Sequence, residues 1–365
     1  MNLKILFVVF CISSTCFGQE EGSFKESTLD VTPFYGSILK HDPNLAHLII
    51  DHPEGLILSY NKKTRGEKLW EADFNYPDLG YSFIYQNPKN EVLGKNYGVY
   101  AHYNFYFFNR NLQFRIGQGI ALTTNPYDQD ENFRNNAYGS DILSSTYLAL
   151  NYYKERLFKG LGFKAGITLL HYSNANFRAP NLSTNTLAFN AGLIYTLGKD
   201  EPIVYLDPER KKIQEPIKYN LAFRTGLNES DEIGSGQFPF YIFSAYADKR
   251  LSNRSALQLG TDVFFSNFLK QLIRFQGTSF PELNVSGDED FKRVGVFVGH
   301  ELFINKLSVV TQLGYYVYYP FDFEGRVYNR VGLKRYFSDS IYGAVTLKSH
   351  GAAAEAVEFG IGIRL

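Results

Sequence analysis

The last ten residues of the chain, AVEFGIGIRL, alternate strictly. Val357, Phe359, Ile361, Ile363 and Leu365 fall on one parity, and Glu358, Gly360, Gly362 and Arg364 on the other. A period of two puts the apolar set on one face of an extended strand and the small and charged set on the opposite face. Stretches of about ten residues with this alternation recur along the chain, and beyond the extreme N-terminus nothing approaches the apolar length of a membrane-spanning helix. Two exported classes fit such a pattern, a transmembrane β-barrel and a large soluble β-protein. Aromatics at 16% of residues, with 27 Tyr and 32 Phe against one Trp and one Met, and 31 Gly favour the barrel.

The N-terminus sets the compartment. Met1 to Gly18 carries one basic residue, Lys4, then the apolar run Ile5 to Phe10, then small and polar residues. That is the order of a cleaved secretory signal, so residues 1–18 are expected to be removed and the mature chain to start near Gln19 or Glu20. Ser13-Ser14-Thr15-Cys16 makes a poor lipobox, which argues against a lipid anchor on Cys16. Both cysteines, Cys11 and Cys16, lie inside the signal, which excludes a disulfide scaffold or a thiol enzyme. The formal net charge is zero and gives no reason to expect a nucleic-acid partner. The expected location is the outer membrane of a Gram-negative bacterium.

Alternation assigns strands at about 78–86, 97–108, 112–123, 144–155, 161–173, 186–197, 217–228, 238–250, 255–268, 293–304, 307–319, 326–337 and 341–350, and the C-terminal strand completes them. The fold class expected for 19–365 is therefore all-β, a single antiparallel transmembrane β-barrel of about 14 strands, with 12 or 16 as alternatives. Two further candidates lie around 32–38 and 55–60. Tight connections at 109–111, 251–254, 305–306 and 338–340 alternate with longer polar ones at 124–143, 174–185, 229–237, 269–292 and 320–325. Short turns in the periplasm and long loops outside would put 174–185 on the exterior. Residues 198–216, GKDEPIVYLDPERKKIQEP, break the rule: a long charged segment where a turn is required. It is either a small periplasmic excursion or a missed hairpin. No fixed-period repeat or composition shift marks a second domain.

The parity rule isolates one unusual stretch, LLHYSNANFRAPNLSTNTLAF. In strand 161–173, Leu161, Phe163, Ala165, Ile167 and Leu169 form the lipid-facing set, and His171 and Ser173 continue it. On the next strand Leu187, Phe189, Ala191, Leu193, Tyr195 and Leu197 face lipid, and Asn185 extends that face at its outer end. A hairpin closing through 174–184 brings Asn185 beside His171 and Ser173. Unpaired polar groups at an apolar boundary cost free energy, whereas these three can serve one another. Serine supplies a nucleophilic hydroxyl, histidine the base, and asparagine an acceptor that orients the imidazole without charge. Asn174 stands where its side chain or backbone can donate to a developing oxyanion. A nucleophile looking outward at the outer leaflet meets the ester bonds of lipids. The opposing explanation is a polar girdle on a non-catalytic channel or structural barrel.

HYSNANFRAPN followed by Asn185 resembles the signature of the lipid A 3-O-deacylase family of outer-membrane barrels. The resemblance implies His171 as base, Ser173 as nucleophile and Asn174 at the oxyanion, and the Pro180-Asn181 pair also fits. That family places a glutamate where this chain has Asn185. A His-Ser-Asn set at this spacing is similar instead to outer-membrane phospholipase A, whose calcium site beside the serine has no clear counterpart here. LKSHGAAAEAVEFGIGIRL and WEADFNYPDLGYSFIY look like segments of longer barrel relatives of the deacylases, the acyloxyacyl hydrolases.

The expected function is thus a serine esterase removing an acyl chain from lipid A of lipopolysaccharide. The alternative substrate is a glycerophospholipid, and calcium enters only under that alternative. No cofactor is expected otherwise, and barrel-assembly machinery is expected to read the C-terminal strand, although Leu365 replaces the usual terminal aromatic. Lys348, His350 and Glu358 fall on inward parity and are expected to form a lumenal ionic network or plug. His300, beside Glu301, is expected to be structural. The acidic clusters DQDEN (128–132) and GDED (287–290) are expected to be solvated loop charge. There is no phosphate-cradling glycine loop and no zinc-ligand spacing.

Overall fold

A computed structural model describes residues 27–198, 203–210 and 213–365; the segment Met1 to Gly18, expected as a cleaved signal, lies outside the described residues. Sixteen strands run in chain order. The first eight are β1 (Ser27–Ile38), β2 (Glu54–Lys62), β3 (Asp78–Asn87), β4 (Asn96–Phe107), β5 (Leu112–Thr123), β6 (Ile142–Phe158), β7 (Leu161–Ser173) and β8 (Thr184–Leu197). The second eight are β9 (Lys218–Asn228), β10 (Phe238–Arg250), β11 (Ser255–Ser266), β12 (Lys292–Ile304), β13 (Leu307–Tyr318), β14 (Val327–Tyr336), β15 (Ile341–His350) and β16 (Ala353–Arg364). Every strand pairs antiparallel with its sequence neighbour within its set. β8 then returns to β1 through Leu29↔Tyr195 and Tyr35↔Phe189, and β16 returns to β9 through Ile361↔Phe223.

The chain is therefore two closed eight-strand barrels, which corrects the single barrel of about 14 strands. All fourteen assigned strands are present, and the candidates around 32–38 and 55–60 are β1 and β2. Period-two alternation reports which face of a strand is apolar but not which strand it finally pairs with. The closing contacts β8–β1 and β16–β9 were invisible for that reason. Residues 198–216 carry the chain from β8 to β9, and their described part holds no helix or strand. Leu206 N–H donates to Arg65 O at 2.7 Å, and Arg210 meets Asp73 at 3.0 Å, which ties this linker to the β2–β3 connection.

Eight strands enclose an interior that side chains can fill. In the first barrel Asp30 accepts from Arg115 at 2.9 Å and Lys164 at 2.8 Å, and His102, Asn104 and Asn61 complete the network. In the second, Arg330 sits 2.9 Å from Asp262 and 2.6 Å from Glu358, and Lys334 3.1 Å from Glu301. All these charged groups are buried, and each finds an opposite charge, the condition under which ions are tolerated away from water. Lys348 and His350 join the same interior through Glu355 and Glu324, so the lumenal network expected of Lys348, His350 and Glu358 is present. His300 bonds Ser255 at 2.7 Å across the β11–β12 pair, the structural placement expected of it.

The outer surface of both barrels is apolar, with Phe189, Leu193, Leu259 and Phe359 among its exposed side chains. Such a band is what a bilayer covers. Among the described residues no helix is long and apolar enough to cross a membrane. Most long connections gather at one end of each barrel, and the 63–77 connection between β2 and β3 lies at the other end of the first. In the first barrel a short 3-10 turn at Pro43–Leu48 inserts Leu45 and Leu48, both buried, over an apolar cluster with Leu143, Tyr147, Leu170 and Tyr172. In the second, the connection expected as a polar loop holds helix α2 (Asn267–Ser279), following the single-turn α1 (Leu69–Asp73) of the first barrel. Its Phe268, Leu269, Leu272 and Ile273 recur at helical spacing and pack on Phe321 and Phe323.

Candidate active site

The site is built on β7 and β8 at the end that carries the long loops. Along β7, Lys164, Thr168, Leu170 and Tyr172 are buried inside, while Leu161, Phe163 and Ile167 are exposed outside. Leu170 and Tyr172 are fully buried on either side of His171, and this locks the register, since a slip of one residue would turn every side chain to the other face. His171 and Ser173 fall on the same parity of β7 as Leu161, Phe163 and Ile167, about 6.5–7 Å apart along the strand. The exposed Leu187, Phe189 and Leu193 place Asn185 on the outward face of β8, where it is the direct cross-strand partner of His171.

His171 and Asn185 meet: Nδ1 of the ring lies 2.8 Å from Asn185 Oδ1. An amide oxygen only accepts, so Nδ1 carries the hydrogen and Nε2 keeps its lone pair, the tautomer of a general base. The orientation of the amide is held from behind. Asn185 Nδ2 donates to His41 Nδ1 at 3.3 Å, and His41 Nε2 in turn donates to Leu182 O at 2.9 Å. His41 was missed in the sequence because it lies in the β1–β2 connection, and only the β8–β1 closure, with Leu39 N–H donating to Asn185 O at 2.7 Å, brings it here.

Ser173 is placed differently from the expectation. Its hydroxyl donates to Asn181 Oδ1 at 3.0 Å and accepts from Ala175 N–H at 2.9 Å. Among the hydrogen bonds of the described residues there is none between Ser173 and His171. The same Asn181 oxygen accepts from the backbone N–H of Asn174 at 2.9 Å, and Asn174 Nδ2 donates to Arg178 O at 2.6 Å. Both donors of Asn174 expected at an oxyanion are thus engaged inside the 174–183 loop. Ser173 and Asn174 are each 5% exposed, although Ser173 lies on the outward face, because this loop folds over them. The loop rests against Gly139 of the β5–β6 connection, where a Cβ would stand 2.4 Å from Arg178 O. Its far end is tied by Leu182 and Ser183 N–H to Asn136 and Ala137 O, each at 3.1 Å.

The remaining candidates lie elsewhere. In the 128–132 cluster Asp128 accepts from its own loop, and the backbone N–H groups of Glu131 and Asp130 hold its carboxyl below the usual carboxylate range. In the 287–290 cluster Glu289 accepts from Ser286 and Gly287 N–H. Among the described residues no group of His, Cys, Asp or Glu is arranged to hold a metal ion.

The description "Lipid A 3-O-deacylase" belongs to a family model that matches residues 54–193, β2 through most of β8 with His171, Ser173 and Asn185 inside it. A second, "Acyloxyacyl hydrolase, C-terminal domain", matches residues 217–365, the whole second barrel. The chain belongs to the lipid A 3-O-deacylase/acyloxyacyl hydrolase family. It is a hydrolase-family protein, then, whose two matched segments fall in separate closed barrels, and this fold fits an outer-membrane protein. No curated protein matches this chain. Solved structures similar to it include a mutant of the Rh. blastica porin, 8% identical over 93% of this chain and 100% of that one, with a TM-score of 0.21. A triple mutant of the Rhodopseudomonas blastica porin gives 7% identity over the same shares with a TM-score of 0.19. Likeness at that level carries no structural argument.

Proposed function

We propose that the chain is an outer-membrane serine esterase that removes an acyl chain from lipid A, using Ser173 as nucleophile, His171 as base, Asn185 to orient His171 and Asn174 at the oxyanion. The observation that carries this is the 2.8 Å bond from His171 Nδ1 to Asn185 Oδ1 on the outward face, with Ser173 two residues along the same strand. A base with its free Nε2 on the same outward face as a serine, on the surface that lipid covers, suits an ester held in a leaflet.

Asn181 gives the resting state a meaning. Its amide oxygen lies between Ser173 Oγ and Asn174 N–H, where the carbonyl oxygen of an ester would sit. An incoming ester exchanges with it. Rotation about χ1 then carries the Ser173 hydroxyl between staggered wells toward His171. Ser173 Oγ attacks the acyl carbonyl as its proton passes to His171 Nε2, and the carbonyl oxygen takes the negative charge beside Asn174 N–H. Collapse expels the sugar 3-oxygen, which takes the proton back from Nε2 and leaves an acyl-serine. Water, deprotonated by His171, attacks this ester, and Ser173 leaves with the proton while the fatty acid departs. The filled lumens of both barrels speak against a channel. An asparagine in the orienting position, rather than a glutamate, is the feature that favours glycerophospholipid as a second substrate class.

The test is mass spectrometry of lipid A and phospholipids from cells expressing the wild type, Ser173→Ala or His171→Ala. Loss of one acyl chain from lipid A with the wild type alone supports the deacylase. Lysophospholipid with unchanged lipid A selects the second substrate. No difference among three folded proteins overturns the hydrolase.

A further inference from the structure

The loop that covers Ser173 is held from two sides. Its C-terminal end is bonded to the β5–β6 connection of the first barrel, as described above. Its N-terminal half is bonded to the second barrel. Asn176 O accepts from Glu229 N–H at 3.0 Å, and Phe177 O accepts from Gln237 Nε2 at 2.7 Å. Asn176 Nδ2 donates to Asp231 Oδ1 at 3.1 Å. Ala179 N–H, also buried, donates to Glu229 Oε2 at 3.1 Å. Glu229 and Gln237 bound the β9–β10 connection, so one short loop of the second barrel grips three residues of the loop over the nucleophile.

Glu229 is the centre of this grip. It follows Asn228, the last residue of β9, and is itself only 5% exposed. Its other oxygen, Oε1, accepts from Gly236 N–H at 3.0 Å, so the carboxylate is braced within its own loop before it reaches Ala179. A carboxylate accepting backbone N–H groups makes a charge-assisted bond, stronger than a neutral one. The loop needs such a hold. Ala175 and Asn176 have φ of +54° and +60°, a left-handed conformation that alanine disfavours and that persists only where surrounding contacts over-determine it. Those two residues follow Asn174 directly, and Ala175 N–H bonds Ser173 Oγ. The trace of residues 175–179 therefore sets where the Asn174 N–H points, and it also places Asn181, two residues past Ala179.

We propose that Glu229 of the second barrel is a positioning residue for the site on the first, holding the 174–183 loop so that Asn174 and Asn181 stay aligned on Ser173. The proposal rests on the assignment of Ser173 as nucleophile. It gives the C-terminal barrel a part in hydrolysis without a catalytic group of its own. Misplacement of an oxyanion donor by about 1 Å costs on the order of a hundredfold in rate, so the effect belongs in kcat.

The test uses the full chain in detergent, with wild type, Ser173→Ala, Glu229→Ala, Glu229→Gln and Gln237→Ala, and with Glu282→Gln as an exposed control on another loop of the second barrel. Folded protein is counted by heat-modifiable electrophoresis. Fatty-acid release from lipid A gives kcat and KM, and a fluorophosphonate probe reads the labelling rate at Ser173. Glu229→Ala is expected to lower kcat and the labelling rate by roughly ten- to a hundredfold per folded molecule with KM within about twofold. Glu229→Gln keeps one acceptor oxygen and is expected to recover part of the loss. Gln237→Ala, at an exposed position, is expected to lose severalfold, and it decides the matter if Glu229→Ala does not fold. Wild-type kcat in the folded Glu229→Ala, or in Gln237→Ala where Glu229→Ala is not recovered, overturns the proposal while Ser173→Ala stays inactive. Activity surviving in Ser173→Ala overturns instead the assignment on which the proposal rests.

Discussion

Replacing Asn185 by aspartate tests the orienting role most directly, because it keeps the shape and the acceptor oxygen and adds only charge. Asn185 Oδ1 accepts from His171 Nδ1 at 2.8 Å, which puts a carboxylate about 4 Å from the centre of an imidazolium. At that separation the attraction is about 1 kcal/mol in water and about 4 kcal/mol at an effective dielectric constant of 20. Both side chains are half-buried, so the value falls between these limits. Desolvating the new carboxylate offsets part of it. The ring is neutral before attack and charged in the transition state, so the remaining ~1–2 kcal/mol appears as about a five- to thirtyfold rise in kcat. The assay is single-turnover release of fatty acid from lipid A in micelles by Asn185→Asp, normalised to folded protein. A rate within twofold of the wild type, or below it, would refute the role given to Asn185.

Other outcomes follow from the same structure. His41→Ala removes the acceptor that holds the Asn185 amide, and loss of one neutral hydrogen bond of about 0.5–1.5 kcal/mol is expected to cut kcat about two- to tenfold. Arg330→Met leaves Asp262 and Glu358 in the second lumen with Arg224, at 3.9 and 3.8 Å, as their shared cation; a loss of about 3–5 kcal/mol is expected, read as a lower temperature of heat-modified migration. Phe189→Arg puts a charge on the outer face of β8, where Phe189 is 78% exposed, and is expected to cost about 2–4 kcal/mol in urea titrations of protein folded into vesicles, but little if that face meets water. Purified protein in planar bilayers is expected to give no stepwise conductance, and porin-like steps would contradict the packing of Arg115, Asp30 and Arg330 across the lumens.

Local pattern was enough for much of this protein. The alternation that ends in Phe359, Ile361 and Ile363 identifies strands and their outward faces, because side-chain direction in a strand depends only on parity. The same count put His171, Ser173 and Asn185 on one face and Lys348, His350 and Glu358 inside, where Arg330 and Glu355 meet Glu358 and Lys348. Helix α2 was hidden because Lys270, Gln271, Arg274 and Gln276 interleave its apolar residues and give the segment the polarity of a loop.

What the sequence determined by itself was the strand set, its faces and the residues gathered at the outward end of β7 and β8. Tertiary structure decided the rest. Closure of β8 on β1 and of β16 on β9 divides sixteen strands into two barrels, since backbone hydrogen bonding satisfies any edge without regard to side-chain pattern. The same closure delivers His41 to Asn185, and a loop fold that no period encodes turns Ser173 toward Asn181 rather than His171. Glu229 reaches Ala179 from fifty residues away for the same reason: such contacts depend on where whole barrels and loops come to rest, which is a property of the folded chain.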